Sequence, residues 1–404
     1  MAVHKMWVGI DVGKGFHHAC AVDETGKIVF SRKVANSQAA IEQLITRTTA
    51  KAAEVVWAVD MTSGAASLLI TLLLATGQPV VSVPGRLVNR MAGAFAGEGK
   101  TDARDARTIA ETARLRSDLA PITSPDAVVT DLQVLTARRE DLMADWVRGV
   151  NRIRELLASI FPALERAFDY STRSALVLLT GFQTPAGIRA AEATGLSAYL
   201  AEHGAWPKGI PAMVDKALAA AAEQTVALPG ESVTAPLIAR LARQLLELDR
   251  EIKDLDKQLG ARFAEHPDAG PITSLDGFGP ILGAQLLAGT GGDLQAAFRS
   301  SAHLAAYAGL APVPRDSGRI RGNLHRAKRY HRGLRRVFYL AALSAIKRPD
   351  GPSRAFYLRK RGEGKRHTQA LIALARRLVD VIWALLRDGR EFHPSPPLTA
   401  TAAA

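Results

Sequence analysis

Apolar and polar positions come in short bursts over the first sixty residues. Trp7–Val12, Phe16–Val22 and Ile28–Val34 are strand-length apolar runs, and Glu24-Thr25-Gly26 supplies a turn between the last two. They predict an antiparallel meander. The period then lengthens to a helical one over Ser37–Ala50 and returns to a buried-type strand at Val55–Val59. An apolar helix near Ala65–Ala75, a strand at Pro79–Val83 and a helix over Asp102–Arg116 complete an α/β domain.

The middle of the chain is helical. Leu241, Leu245, Leu248, Ile252, Leu255 and Leu259 step by four and three, an a/d seam of heptads. Leu132, Leu135, Leu142, Trp146, Ile153 and Leu157 give a looser partner seam, interrupted by Arg139. The pair reads equally as a helical hairpin within the chain or as an oligomerisation arm. Between the seams, Thr180–Pro236 is rich in Pro and Gly and reads as an insertion of short helices and loops. From Pro271 a third part begins. Leu275-Asp276-Gly277-Phe278-Gly279-Pro280 has the hydrophobic-x-Gly-x-Gly turn of a helix–hairpin–helix, whose glycines Gly277 and Gly279 let backbone N–H groups approach a phosphate. A final helix is expected over Thr368–Leu386, and the Pro/Ala/Thr-rich tail is expected to be disordered. The domains expected are 1–125, 126–268 with its insertion at 180–236, 269–392, and the tail 393–404.

Composition narrows the picture further. The chain has 404 residues, 48% of them hydrophobic, which is room for two or three domains and argues against wholesale disorder. Apolar runs such as Leu68–Ala75 are far short of the roughly 20 residues that cross a bilayer. A single cysteine, Cys20, excludes an internal disulfide and a cysteine-rich zinc site. With no signal-peptide pattern at Met-Ala-Val-His-Lys-Met-Trp, the expected location is the cytoplasm. The formal charge is +13, and it is local: 19 basic residues face three acids between Val313 and Arg377, leaving the remainder near −3. Such a block is the footprint of a polyanion, and nucleic acid fits it better than a membrane.

The carboxylates carry the candidate chemistry. Three strands, helix, strand, helix, strand, helix is the element order of an RNase H-like fold, in which the first and fourth strands are neighbours. Asp11 closes the first strand and Asp60 the fourth, while Asp102 and Asp105 share one face of a helix. Four converging carboxylates need a cation, and hard oxygen ligands select Mg2+ or Mn2+. Two such ions stabilise the attacking and leaving oxygens of a phosphoryl transfer. The bland alternatives are helix-capping roles for Asp102 and Asp105, pairing with Arg104 and Arg107, and a turn role for Asp11. Gly99-Lys100-Thr101 is no P-loop, because the required glycine falls on Ala94. Gly9-Ile10-Asp11-Val12-Gly13 would also suit an actin-like ATPase, but the second Asp-Gly loop of that fold is not found.

These residues resemble the IS110/IS1111 transposases and the related Piv-type DNA invertases. Gly9-Ile10-Asp11-Val12, the Asp60–Gly64 block and Lys100–Ala106 match the acidic N-terminal domain of that family. Leu275–Gly279, Phe298, Leu304–Pro312 and Asp316-Ser317-Gly318 match its C-terminal domain. The resemblance implies a RuvC-like domain with a DEDD metal site, a coiled coil, and a transposase domain with a serine nucleophile. Carried over, the tetrad is Asp11, Asp60, Asp102 and Asp105, the cofactor Mg2+ or Mn2+, and the nucleophile Ser317. It further implies a DNA recombinase guided by a structured (bridge) RNA. Ser317 has no histidine beside it and needs a base or metal, which predicts a composite site with Ser317 delivered to the carboxylates by domain docking, and the helical seams would join a homodimer or homotetramer. Arg315, Arg319, Arg321, Arg326, Lys328, Arg329, Arg332, Arg335 and Arg336 surround Ser317 and are placed to hold phosphates, giving affinity that falls with salt. Two departures stand out: Asp60 replaces the usual glutamate, and Arg329–Arg335 lacks the usual Gly-Asn pair before Leu-Arg. The rival readings are a RuvC-like metal nuclease or junction resolvase in which water attacks, and an inactive nucleic-acid-binding relative.

Overall fold

In the computed structural model the chain forms two compact units, residues 1–125 and 126–404. The structure describes residues 3–62, 64–92, 101–123, 126–318 and 321–394. Most of the tail expected to be disordered lies outside them.

The first unit is built on five strands. In chain order it contains β1 (Val3–Asp11), β2 (Phe16–Asp23), β3 (Ile28–Ala35), α1 (Gln38–Thr49), β4 (Ala52–Val59), α2 (Ser67–Ala75), β5 (Val80–Ser82), α3 (Gly85–Ala92) and α4 (Asp102–Leu115). The sheet order is β3-β2-β1-β4-β5. β2 is antiparallel to β1 and β3, while β4 is parallel to β1 and β5. This is the RNase H-like arrangement that the element order predicts. Alternation along the strands sorts the two faces. Met6, Val8 and Ile10 of β1, with Trp57 and Val59 of β4, pack under α1 and α2. The opposite face carries Trp7, Ala58 and Val83 and is covered by Ile109 and Ala113 of α4. The β2–β3 turn forms as the sequence predicts: the Asp23 carboxylate accepts the N–H groups of Thr25 and Lys27, and Gly26 takes φ 83°.

The second unit is helical. It opens with α5 (Ala127–Ile160), α6 (Pro162–Ala167), α7 (Arg173–Gly181), α8 (Pro185–Glu202), α9 (Ile210–Ala222) and α10 (Glu231–Ala264). The two predicted seams meet each other inside one chain, α5 against α10. The contacts run antiparallel: Arg262 pairs with Asp131, Arg139 with Asp256, and Leu245 fills the space left by Gly149. The polar interruption at Arg139 is thereby answered, because its guanidinium reaches both carboxylate oxygens of Asp256. The expected insertion is more regular than its composition suggests. α8, broken at Glu192 (φ 52°), and α9 pack with α6, α7 and the N-terminal half of α10 into one core around Leu176, Leu179, Leu196 and Ala217. Pro236 does not end the insertion, since α10 begins at Glu231 and tolerates the proline in its second turn.

The rest of the unit closes a second core on the other half of the α5–α10 hairpin. It contains α11 (Ala269–Ser274), α12 (Pro280–Thr290), α13 (Leu294–Ala297), α14 (Ser301–Tyr307), β6 (Val313–Pro314), β7 (Leu324–His325), α15 (Arg332–Ala345), α16 (Pro352–Gly362) and α17 (His367–Asp388). Leu371, Leu374, Leu378, Ile382 and Leu385 of α17 are buried at its centre. α11 and α12 with their Gly-containing turn form the predicted helical hairpin. The β6–β7 hairpin, antiparallel through Val313–His325 and Pro314–Leu324, stands among these helices. No helix among the described residues is long and apolar enough to cross a membrane.

Candidate functional site

The acidic site grows from the parity of two strands. Ile10 pairs with Val59 in the parallel β1–β4 ladder, so Asp11 and Asp60 end neighbouring strands side by side. Alternation puts both on the face that α4 covers, with Gly9 and Ala58. α4 comes unusually close there. A Cβ on Gly9 would stand 2.2 Å from the Ala106 carbonyl oxygen and 2.2 Å from the Ala110 nitrogen. Only glycine lets the helix backbone rest on the strand. Ala106, Ile109, Ala110 and Ala113 form the buried stripe, and Thr101 caps the helix by accepting the Arg104 N–H. That seating brings the first turn of α4 to the strand ends.

Asp60 bears the electrostatic consequence. Burial pushes its carboxyl above the usual range; the backbone N–H groups of Asp60, Val12 and Met61 oppose this, and the neighbouring Asp105 carboxylate adds to the rise. Its Oδ1 is buried without a hydrogen-bond partner. An orphaned carboxylate oxygen beside a second carboxylate is the arrangement a hard divalent cation relieves, so the donor set fits such an ion. Asp11 is on the adjacent strand end, and neither it nor Arg104 is without a partner. Asp102 lies on the first turn of α4 and is exposed. The structure therefore brings Asp60 and Asp105 within electrostatic reach, sets Asp11 beside Asp60, and leaves Asp102 at the rim. Among the described residues no group of three or more His, Cys, Asp or Glu side chains is gathered closely enough to hold a metal ion.

Sequence reasoning missed the residue that ties the loops of this site. The Asn36 side-chain Nδ2 donates to the carbonyls of Lys14 (3.1 Å) and Ala65 (3.3 Å), and its backbone N–H donates to Gly15 (3.0 Å). One side chain thus joins the loop after Asp11 to the loop after Asp60. A lone Asn after a strand carries no signal of this.

Ser317 lies at the exposed tip of the β6–β7 hairpin. The hairpin is braced below it: Arg315 N–H donates to the Asn323 carbonyl, Asn323 N–H to Asp316 Oδ1, and His325 Nε2 meets Asn323 Oδ1 at 2.8 Å. Arg315, Arg321, Arg326, Lys328, Arg329, Arg332 and Arg336 are exposed around it, while Arg319 lies outside the described residues. Arg335 is half-buried and works as a brace. It donates to the Gly309 carbonyl and stacks on Tyr330, whose hydroxyl accepts from Arg326 at 2.7 Å. Those cations hold the Tyr330 phenol below its ordinary range, the Arg326 hydrogen bond first. The Tyr330 ring rests on Gly309, where a Cβ would stand 2.4 Å from it. This contact explains why the Leu304–Pro312 motif needs its glycine. Gly277 is likewise accounted for by packing, since its missing Cβ would strike the Ala341 carbonyl of α15. Gly279 precedes α12 with open space at its Cβ position.

Two family models match the chain. One, an IS110-type DEDD model described as "Transposase", covers residues 8–162; the other, "Transposase IS116/IS110/IS902 family", covers 269–358. The IS116 uncharacterized 44.8 kDa protein of Streptomyces clavuligerus is 52% identical over 98% of both chains. The chain belongs to the IS110 family of transposases. The IS900 uncharacterized 42 kDa protein of Mycobacterium paratuberculosis is 48% identical over 99% of both. A T. thermophilus RuvC bound to a Holliday junction substrate aligns with 30% of the chain at 16% identity and TM-score 0.24, too low to weigh. The RNase H-like strand order and the DEDD model place this IS110-family transposase among DNA transposases or recombinases of the kind that depend on a divalent metal.

Proposed function

We propose that the chain cuts and rejoins DNA through a covalent serine–phosphate linkage. The observation that carries this reading is the exposure of Ser317 on a hairpin braced by Asp316 and Asn323 and surrounded by seven exposed cations. The Ser317 Oγ attacks a phosphodiester. An Oγ–P bond forms and one P–O bond of the strand breaks; Oγ gives up its proton to solvent, and the leaving oxygen takes one up. The linkage keeps the phosphodiester energy, so a second hydroxyl can displace Oγ without ATP. The exposed arginines and lysines hold the flanking phosphates and fix the register of the strand. Asp60 and Asp105, with Asp11 beside Asp60 and Asp102 drawn in from the rim, would hold Mg2+, which when bound neutralises charge building on the attacking and leaving oxygens. The family resemblance implies a structured guide RNA for base recognition, which the phosphate contacts themselves do not supply. The working form is a homodimer or homotetramer.

The Asp60–Asp105 pair supports a second reading, in which water attacks and Ser317 is passive. A denaturing gel of protein, cognate DNA, co-expressed RNA and Mg2+ separates the two. A slow covalent band in wild type, absent in Ser317→Ala, is the expected result. Equal cleavage by both proteins without a band would sink the serine mechanism.

A further inference from the structure

A second cationic surface lies apart in sequence from the Ser317 hairpin, on α16 and the face of α17 beside it. Residues 347–377 contain ten Lys or Arg and two acids. Three of the cations converge on one ring: Arg377, Arg359 and Lys360 lie 4.9, 5.1 and 5.6 Å from the Phe356 centroid. Three like charges around one ring repel unless an anion joins them. Glu363 answers Lys360 at 2.7 Å and reaches Arg359 only at 4.0 Å. Arg377, Arg361, Lys365 and Arg366 form no ion pair among the described residues and are exposed. The ring and two of its cations line a cavity of about 820 Å³, whose other walls include Pro349, Pro352 and Leu358 and one acid, Asp350.

This combination selects a ligand. Apolar walls and an aromatic ring want a flat, weakly polar group, and the arginines at its mouth want anions on either side. A cavity of this size admits a drug-sized group. An acidic peptide supplies the anions without the flat group, and duplex DNA keeps its bases stacked out of reach. We propose that the Phe356 pocket takes an unpaired nucleotide of a single nucleic-acid strand, with Arg359 and Arg377 on its flanking phosphates. The proposal rests on the nucleic-acid partner of the reading above and adds a strand-specific site to it.

The test uses the full-length chain in EDTA, so that cleavage does not intervene. Binding of fluorescein-labelled single-stranded RNA, single-stranded DNA and duplex DNA of one sequence is followed by anisotropy from low to moderate salt. Arg359→Gln/Arg377→Gln should flatten the log–log salt slope for single strands by about 1.4, two phosphate contacts' worth. Phe356→Leu should weaken single-strand binding at least about fivefold with the slope unchanged, and Phe356→Tyr should restore it. Duplex binding should stay within about twofold in all variants. Unchanged single-strand affinity and slope would overturn the pocket, as would equal losses for duplex or displacement by poly-glutamate as efficient as by unlabelled single strand. Ser317→Ala should bind like wild type, so a failed pocket with intact duplex binding leaves the serine reading standing, and the reverse also holds.

Discussion

Gly9→Ala is the sharpest test of how the acidic site is assembled. The added methyl group would sit 2.2 Å from the Ala106 oxygen and the Ala110 nitrogen, both backbone atoms that cannot rotate aside. Ordinary contact begins at 3.4 Å, so α4 must retreat from β1 by about 1.2 Å. Overpacking of this kind costs about 1–3 kcal/mol, and backbone on both sides puts Gly9→Ala at the upper end, about 3 kcal/mol. Asp105 precedes Ala106 and moves with the helix, away from Asp60. A displacement of about 1 Å at a catalytic constellation costs on the order of a hundredfold in rate. Hydrogen exchange of β1 and α4 peptides reads the first effect, as exchange about a hundredfold faster. Strand cleavage with Mg2+ reads the second. Gly15→Ala is the control, because nothing lies within 4 Å of its added Cβ, and it should change stability by less than about 0.5 kcal/mol. A Gly9→Ala protein with wild-type exchange and cleavage would refute the account of the site.

Three further predictions follow from the same geometry. The folded state raises the Asp60 pKa, so the folded protein favours the protonated carboxyl; in EDTA its contribution to stability is highest below the ordinary carboxylate range and falls as pH rises through the folded value. Asp60→Asn should therefore raise the melting temperature in EDTA, more at pH 8 than at pH 4, while abolishing cleavage; equal melting at both pH values would contradict the sign. Asn36→Ala releases the loops after Asp11 and Asp60 from each other and should weaken Mn2+ binding, measured by calorimetry, about tenfold. Arg139→Leu leaves Asp256 unpaired in the α5–α10 seam and should cost about 1 kcal/mol in urea unfolding, which adding Asp256→Leu should recover.

The first unit was nearly all legible in the sequence, because each strand is a short apolar run that ends at a turn residue or a carboxylate. Asp11 and Asp60 could be placed at neighbouring strand ends on element order alone. α3 was not foreseen; it begins at Gly85 directly after Pro84, a pair that reads as a breaker. Heptad spacing identified both seams but could not say that they close on each other, since that depends on Arg139 meeting Asp256 more than a hundred residues away. The bracing of Tyr330 on Gly309 was equally hidden. Local spacing says nothing of which glycine lies beneath which ring.

The centrality of α17 has a consequence for timing. A chain emerging from the ribosome folds its early domains first. The sheet and α4 lie within the first 125 residues and form a compact unit of their own. The core that supports the Ser317 hairpin needs Leu371 through Leu385, well downstream of the hairpin itself. The carboxylate unit can thus take shape early in synthesis, but the serine-bearing unit cannot close until α17 has left the ribosome. A truncated product that stops before α17 would carry the acidic unit and a Ser317 hairpin without the core that supports it.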